Sequence, residues 1–364
     1  MKVLELQGTS RRMGQAFGEE CRRLIRDLYQ RRMANAIEQA ASYGGRTMDE
    51  KDILRLAGRC LPLVQAFHPD GFDELTGIAE GAQLDLAQIW AMNALTDLRD
   101  VAAFGPRVSD KDEGCSSFIA QSDRTEDRGV WCGQTWDLST DNMPFVLMVR
   151  RRPQEGPQTL CLTTAGCLSL IGMNEHGVAV GTTNLRSNDA RFGVGYLDII
   201  HKALTCRSTA EAVSAIARAP RSGAHYFYVV DGQGEGAAVE CTATDQVVTT
   251  VSERVYVHCN HFLIPQLIPL EIKGTPTAST GFRQRRLTEL LLQGPSLSAQ
   301  DMMSALEDTS GGTNAISRHD FDGISTNGAV VMAPHLRTLW AVHGPPDNSA
   351  WQRMTLESGS AGAA

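Results

Sequence analysis

The hydrophobic period of this chain changes at one place. From about residue 9 to residue 103, apolar side chains recur at helical spacing; after Gly114, short runs alternate with the two-residue period of strands. Between the two lies FGPRVSDKDEG, residues 104 to 114, with one proline, two glycines and five charges, which reads as a loop. In the helical block, Thr47 and Glu50 form a capping box ahead of DILRLAGRCLPLV, and Asp85 caps the helix of DLAQIWAMNALTDL. In the second block SSFIAQS, GVWCGQTWDL, FVLMVRR and TLCLTTAG are strands, and NEHG turns the hairpin of LSLIGMNEHGVAVGTTN. YLDIIHKALT and STAEAVSAIARA then return to helix, the second with a Ser208/Glu211 capping box. Four more strands follow (HYFYVVD, AAVECTA, VVTTVS and VYVHCNHF), then helices over GFRQRRLTELLL and SAQDMMSALED, then strands over NGAVVMAP and TLWAVHG. Runs of strands separated by helical pairs predict an α+β chain, with two helix layers around antiparallel sheets.

The totals exclude several function classes. A net charge of -8 argues against nucleic acid or an anionic membrane as partner. The Arg-rich stretch of residues 11 to 32 interleaves Glu19, Glu20 and Asp27 at helical spacing, so it reads as a solvated helix face. No apolar run is long enough to span a bilayer, the first residues lack the pattern of a signal peptide, and the tail SGSAGAA carries no anchor. The expectation is a cytoplasmic protein. The nine cysteines are odd in number, scattered, and contain no CxxC, so a disulfide framework is not expected and most are small core residues. HCNH, residues 258 to 261, has no second ligand cluster at finger spacing, so no metal is called for.

Cys115 stands apart because of its position. In DEGCSSF it sits where loop becomes strand, and three readings compete: a core cysteine, a metal or redox ligand, or a nucleophile. If the chain were cut between Gly114 and Cys115, the cysteine would gain a free α-amine with a pKa of about 7.7–8.0. A thiol and an amine on one residue form a compact nucleophile and base. The cut could be made by the thiol itself, through attack on the Gly114 carbonyl and hydrolysis of the resulting thioester. Glycine suits that step because it lacks a Cβ and gives close access.

Five segments carry a family resemblance: GTSRRMGQAFGEE, EGCSS (113 to 117), GQTWDL (133 to 138), AGCLSLIGMNEHGVAV (165 to 180) and VHCNHFL (257 to 263). Together, and in this order, they resemble the acyl-CoA:6-aminopenicillanic acid acyltransferase-like family, a branch of the N-terminal nucleophile hydrolases. The resemblance implies an αββα four-layer sandwich. It implies Cys115 as nucleophile, Asp137 as the group orienting the thiol and its amine, and Asn260 as a donor to the oxyanion. Gly114, Cys115 and Ser116 would form the self-cleavage site. Thr242 aligns with a family Ser or Thr near the site, and Thr135, Trp136 and His261 are candidates for lining it. Two positions depart from the pattern: Thr135 stands for the usual Asn, and Cys259 for the usual Thr before Asn260.

Taken singly, these residues have structural readings as well. Asp137 would cap a strand end and Asn260 would satisfy buried backbone. One of His258 and His261 would form a structural hydrogen bond, and Trp131 and Trp136 would be core or would line an acyl pocket. The functional expectation is a self-processing amidohydrolase acting on a small N-acylated amine or amino acid through a Cys115 thioester. Residues 1–114 would be retained as a small helical subunit and residues 115–364 would form the catalytic subunit, with no cofactor. The alternative is an acyl-CoA- or amide-dependent N-acyltransferase using the same acyl-enzyme. A non-catalytic binding module and a zinc or redox protein built on HCNH are the readings from other classes. Oligomeric state is not legible.

Overall fold

The computed structural model describes residues 1–44, 47–103, 114–272, 278–321 and 323–357. All of the expected seam loop except Gly114, and the SGSAGAA tail, lie outside the described residues. The chain opens with β1 (Val3–Gly8), followed by α1 (Ser10–Glu20), α2 (Arg22–Gly44), α3 (Glu50–Phe67), α4 (Pro69–Ala82), α5 (Leu86–Asn93) and α6 (Leu95–Ala103). β1 was not expected, although its alternation was there to read: Leu4 and Leu6 are buried between exposed Glu5 and Gln7. The cap of α3 is Asp49 rather than Thr47. Its carboxylate accepts from the Asp52 N–H at 2.9 Å, and the Asp52 side chain accepts in return from the Asp49 N–H at 3.3 Å. A reciprocal pair two residues downstream thus does the work assigned to Thr47 and Glu50, with carboxylates at the positive end of the helix. Asp85 caps α5 as expected, its N–H donating to the Gln88 side chain at 2.8 Å.

The second block holds β2 (Cys115–Ala120), β3 (Trp131–Ser139), β4 (Val146–Pro153), β5 (Thr159–Thr164), β6 (Ile171–Asn174) and β7 (Ala179–Asn184). Then come α7 (Tyr196–Ala203), α8 (Thr209–Arg218), β8 (His225–Val230), β9 (Gly236–Cys241), β10 (Gln246–Thr250) and β11 (Val255–His258). It ends with α9 (Ala278–Leu291), α10 (Ala299–Leu306), β12 (Ile324–Ala333), β13 (Thr338–His343) and β14 (Gln352–Thr355). Of the strands in this block, β14 alone went unread, being a short, mostly exposed edge strand. In the β6–β7 turn, Gly177 takes φ +81°, and the Asn174 side chain accepts from the N–H groups of His176 and Val178 at 3.0 Å each.

The strands form two sheets. One has eight strands in the order β1-β4-β5-β6-β7-β8-β9-β10; the other has six, β11-β2-β3-β12-β13-β14. They stack face to face, and Gln134 of β3 bridges them: its side chain donates to the Thr182 carbonyl of β7 at 2.9 Å and accepts from the Thr182 N–H at 3.0 Å. Side-chain alternation assigns the two faces of the six-stranded sheet. Ile119, Cys132, Val330 and Met332 join the core shared with the eight-stranded sheet. Phe118, Ala120, Val331 and Ala333 instead pack with Leu287, Leu291, Met302 and Leu306 of α9 and α10. Helices α7 and α8 pack on β7, β8 and β9. The order of layers is helix, sheet, sheet, helix, the αββα sandwich implied by the resemblance. No helix among the described residues is long and apolar enough to cross a membrane.

The N-terminal block is built into this sandwich. β1 pairs with β4 in parallel, as an edge strand of the larger sheet. Glu74 of α4, 1% exposed, meets Arg151 of β4 at 2.8 Å. Helices α1 and α4 touch backbone to backbone through Gly14, Gly18, Gly77 and Gly81. A Cβ on Gly14 would lie 2.1 Å from the Glu74 carbonyl oxygen, and one on Gly77 would lie 2.2 Å from that of Arg11.

Since backbone cannot step aside as a side-chain tip can, Gly14→Ala is expected to destabilise by about 1–3 kcal/mol. Gly58→Ala, on the exposed face of α3 with nothing within 4 Å of the added Cβ, is expected to gain up to about 1 kcal/mol. Urea unfolding of the two variants beside the parent checks both signs.

Candidate active site

Cys115 opens β2 and is 7% exposed. The peptide that precedes it is held on both sides. The Gly114 carbonyl accepts from the Asp137 N–H of β3 at 2.8 Å, and the Cys115 N–H donates to Asn260 Oδ1 at 2.7 Å. Behind this peptide lies Arg283 of α9, fully buried. It donates from Nη1 to the Cys115 carbonyl and to Ser116 Oγ (3.1 Å), and from Nη2 to Asn260 Oδ1 at 3.2 Å. The need for glycine at 114 is spatial. A Cβ there would lie 2.8 Å from Arg283 Nη2 and 3.2 Å from Arg318 Nη1, so a side chain at 114 would displace the Arg283 guanidinium from its partners.

Asp137 is positioned by an irregularity. The β3–β12 register shifts between Thr326 and Gly328, a bulge in β12. A bulge re-aims the residues beside it. Thr326 donates its hydroxyl to Asp137 Oδ1 at 2.7 Å while accepting from the Arg318 N–H at 2.9 Å. Burial pushes the Cys115 thiol up to about 12, and the Asp137 charge adds to the effect. The Asp137 backbone N–H and the Arg283 guanidinium oppose it without reversing it. In the uncut chain the thiol is therefore protonated at neutral pH.

Asn260 lies just past the end of β11. Its N–H donates to Thr280 Oγ1 of α9 at 2.7 Å, and its Nδ2 donates to the Asn184 carbonyl of β7 at 3.0 Å. Because Oδ1 faces two donors, Cys115 N and Arg283 Nη2, the orientation of the amide is fixed by its partners. One Nδ2 hydrogen is thus engaged by the Asn184 backbone, and the group carries a second. The flanking histidines are structural. His258 stacks on Tyr226 with centroids 3.8 Å apart, and its Nε2 meets Glu240 Oε1 at 3.1 Å. Glu240 also accepts from the N–H groups of Leu263 and Ile264, which fastens the turn that carries Asn260. His261 Nδ1 lies 2.9 Å from Thr280 Oγ1, and burial lowers its pKa to about 4, so the ring is neutral at pH 7.

Gly114, Cys115, Trp136, Asp137 and Asn260 line one cavity of about 30 Å³, open to solvent. Trp136 is thus on the wall. Thr135, Ser116, Thr242 and His261 are not among its lining residues. Thr135 is fully buried in β3, and Ser116 turns to Arg283 instead. The Thr242 hydroxyl closes the β9–β10 turn, accepting from the N–H groups of Thr244 (3.3 Å) and Asp245 (3.0 Å). Trp131 belongs to the α9–α10 side, stacked on Trp340 at 5.4 Å. Among the described residues, no three His, Cys, Asp or Glu side chains gather as a metal site.

Arg283, Thr280 and Thr326 were missed. A signal existed for Arg283: it stands four and eight residues before Leu287 and Leu291, on the buried stripe of α9. An arginine on a core-facing stripe requires partners inside the protein. Nothing comparable marks Thr326, whose place depends on the bulge.

Residues 124–348 match the family described as acyl-coenzyme A:6-aminopenicillanic acid acyl-transferase. The match begins after Cys115 and includes Asp137, Asn260 and Arg283. The chain is 26% identical over 199 residues to the 40 kDa form of acyl-coenzyme A:6-aminopenicillanic-acid-acyltransferase of Emericella nidulans, spanning 54% of this chain and 53% of that one, about half the relative's length. Among solved structures, a mutant of conjugated bile acid hydrolase from Clostridium perfringens aligns with TM-score 0.46 and 12% identity, over 67% of this chain and 97% of that one. Penicillin V acylase from Agrobacterium tumefaciens aligns with TM-score 0.46 and 16% identity, over 67% and 87%.

The Arg283 fork generates a test of how the site is held. Lysine offers a single ammonium in place of the planar donor set. Arg283→Lys would leave at least one of the Cys115 carbonyl, Ser116 Oγ and Asn260 Oδ1 without its donor. The expected loss is about 1–3 kcal/mol, read as a lower urea midpoint at unchanged slope.

Proposed function

The chain belongs to the acyl-coenzyme A:6-aminopenicillanic acid acyl-transferase family, and on that premise we propose that it is a self-processing cysteine amidohydrolase of the N-terminal nucleophile type. It would cleave the amide bond of a small N-acylated amine or amino acid. The observation that carries this reading is the grip on the Gly114–Cys115 peptide: carbonyl on the Asp137 N–H, amide N–H on Asn260, thiol on the same residue.

In the maturation step, Cys115 Sγ attacks the Gly114 carbonyl carbon. The Asp137 N–H polarises that carbonyl, the C–N bond breaks, and the thiol proton passes to the departing nitrogen, which becomes the α-amine. Water hydrolyses the thioester to a Gly114 carboxylate and a free thiol. The amine is left beside Asn260 Oδ1, which accepts from its nitrogen in the uncut chain. With a pKa of about 7.7–8.0, it would serve as base at neutral pH. The Arg283 guanidinium beside it disfavours the ammonium form and the Asp137 carboxylate favours it.

In turnover, the α-amine accepts the thiol proton as Sγ attacks the substrate carbonyl. The second Nδ2 hydrogen of Asn260, with a backbone N–H, would stabilise the oxyanion; one such donor is typically worth about 2.7–4 kcal/mol of barrier. The α-ammonium then protonates the leaving amine, and water releases the acid from the thioester. Residues 1–114 would remain as a small subunit, because β1 is a strand of the larger sheet and the Glu74–Arg151 pair ties α4 to β4. Ser116, bonded to Arg283, would act on the geometry of the cut rather than on substrate.

A second reading is supported by the name of the fungal relative, an acyl-coenzyme A-dependent acyltransferase. The thioester is the same; an amine takes the acyl group in place of water. Incubation with a panel of N-acyl anilides, then quenching and peptide mapping, tests both readings. A mass increment equal to the acyl group on a peptide beginning at Cys115, and its loss as free acid, supports hydrolysis. Transfer from acyl-CoA to an added amine, with little free acid, would favour the transferase. No acyl increment at Cys115 from any donor would overturn both.

A further inference from the structure

The cavity reaches beyond the groups that the chemistry uses. Thr96, Leu138, Leu170, Thr182, Asn184, Tyr196 and His225 complete its wall, and three of them bring buried polar atoms that have no hydrogen-bond partner among the described residues: Thr96 Oγ1, Asn184 Oδ1 and His225 Nδ1. Thr96 is 8% exposed and His225 3%. Such an atom costs about 1–3 kcal/mol when left unpaired, so a ligand group that pairs with three of them on one cavity wall gains by it. They are neighbours by construction. Asn184 and His225 are direct register partners in the antiparallel pair β7–β8. The Asn184 carbonyl receives Asn260 Nδ2, which places the cluster one residue from the Cys115 grip.

The partners already made define what is missing. His225 Nε2 lies 3.3 Å from Asp97 Oδ1, and the other carboxylate oxygen accepts from the Tyr196 N–H at 3.0 Å. In the neutral ring with its proton on Nε2, facing that carboxylate, Nδ1 is an acceptor. Asn184 Oδ1 is also an acceptor, and the Thr96 hydroxyl acts as either. The set therefore calls for a donor with two or three hydrogens. Arg283 and Arg318 lie beside Gly114, Asp97 stands behind His225, and Arg32 acts with Asp97 on the Tyr196 hydroxyl. Leu138, Leu170 and the Tyr196 ring, which stacks on His225 with centroids 4.7 Å apart, add apolar wall.

We infer that the substrate carries a primary ammonium on a short apolar stem close to its scissile amide, and that Thr96, Asn184 and His225 receive it. The inference rests on the reading of Cys115 as the reacting residue. It also gives the N-terminal segment a part in specificity, because Thr96 and Asp97 both lie in α6. The ammonium could sit on the acyl or on the amine side of the amide, and paired probes separate the two: 4-aminobutyryl against pentanoyl anilide, and butyramide of 1,3-diaminopropane against N-butyl butyramide.

Binding is measured by calorimetry on the parent protein as purified, with the amide of each probe replaced by its ketomethylene isostere so that no probe is consumed, and the titrations are repeated with Thr96→Val and with His225→Phe. Thermal unfolding confirms that each variant is folded, and the near-isosteric Thr96→Val stands alone if His225→Phe does not fold. The expected result is that one ammonium probe binds at least about 10-fold tighter than its alkyl partner, and that the preference falls to about parity in the variants. Equal binding within both pairs, a preference for alkyl, binding of no probe, or a preference untouched by substitution would each overturn the inference. The parent protein given the amide probes themselves separates it from the reading it rests on. An ammonium preference with no thioester at Cys115 counts against that reading alone; a thioester with no preference counts against this inference alone.

Discussion

One peptide bond organises the structure. The carbonyl of Gly114 is held by β3 through the Asp137 N–H, and the N–H of Cys115 is held by the turn after β11 through Asn260. These two elements flank β2 in the six-stranded sheet, so the bond is fixed by the sheet's own order, β11-β2-β3. Arg283 adds a third constraint from the outer helix layer, reaching through the sheet edge to the Cys115 carbonyl and Asn260. A buried cation with several partners confers geometric specificity more than net stability, because its desolvation offsets much of what its bonds return. Glycine at 114 fits that arrangement, since a Cβ there would press on the Arg283 guanidinium that holds the peptide.

The two halves of the chain meet in the same cavity. Sheet residues contribute Cys115, Trp136, Asp137 and Asn184, while α6 of the N-terminal block contributes Thr96. That block also supplies an edge strand and a helix pair joined through glycine backbones, so it is integral to the sandwich. Gly114 lies beside two guanidinium groups and His225 is backed by Asp97, so the lining of the cavity borders charges of both signs.

Much of this was legible in the sequence, for physical reasons. Helix and strand periods are local, so the helical block, the strand runs, the Asp85 and Ser208 caps and the NEHG hairpin could be read directly. Short motifs marked Cys115, Asp137 and Asn260, and the structure brings all three together at one cavity. What escaped depends on contacts between distant segments. Thr326 reaches Asp137 because β12 is bulged, and Thr280 binds Asn260 across twenty residues of chain. Arg283 left a trace as a charge on an apolar stripe. Thr242 shows the opposite failure: a motif match placed it near the site, whereas its hydroxyl is spent on a tight turn. β1 was overlooked because its two buried leucines give a pattern too short to stand out, and the parallel partner that explains them lies far along the chain.

The central claim is that Cys115 begins as an internal residue and ends as a terminus. The most direct measurement is the intact mass of the purified protein beside a Cys115→Ala variant, each under denaturing conditions. The account predicts two chains from the parent, the larger beginning at Cys115 and the two together exceeding the precursor by the mass of one water, and a single full-length chain from the variant. A single full-length chain from the parent, in folded protein that turns over amide substrates, would contradict it.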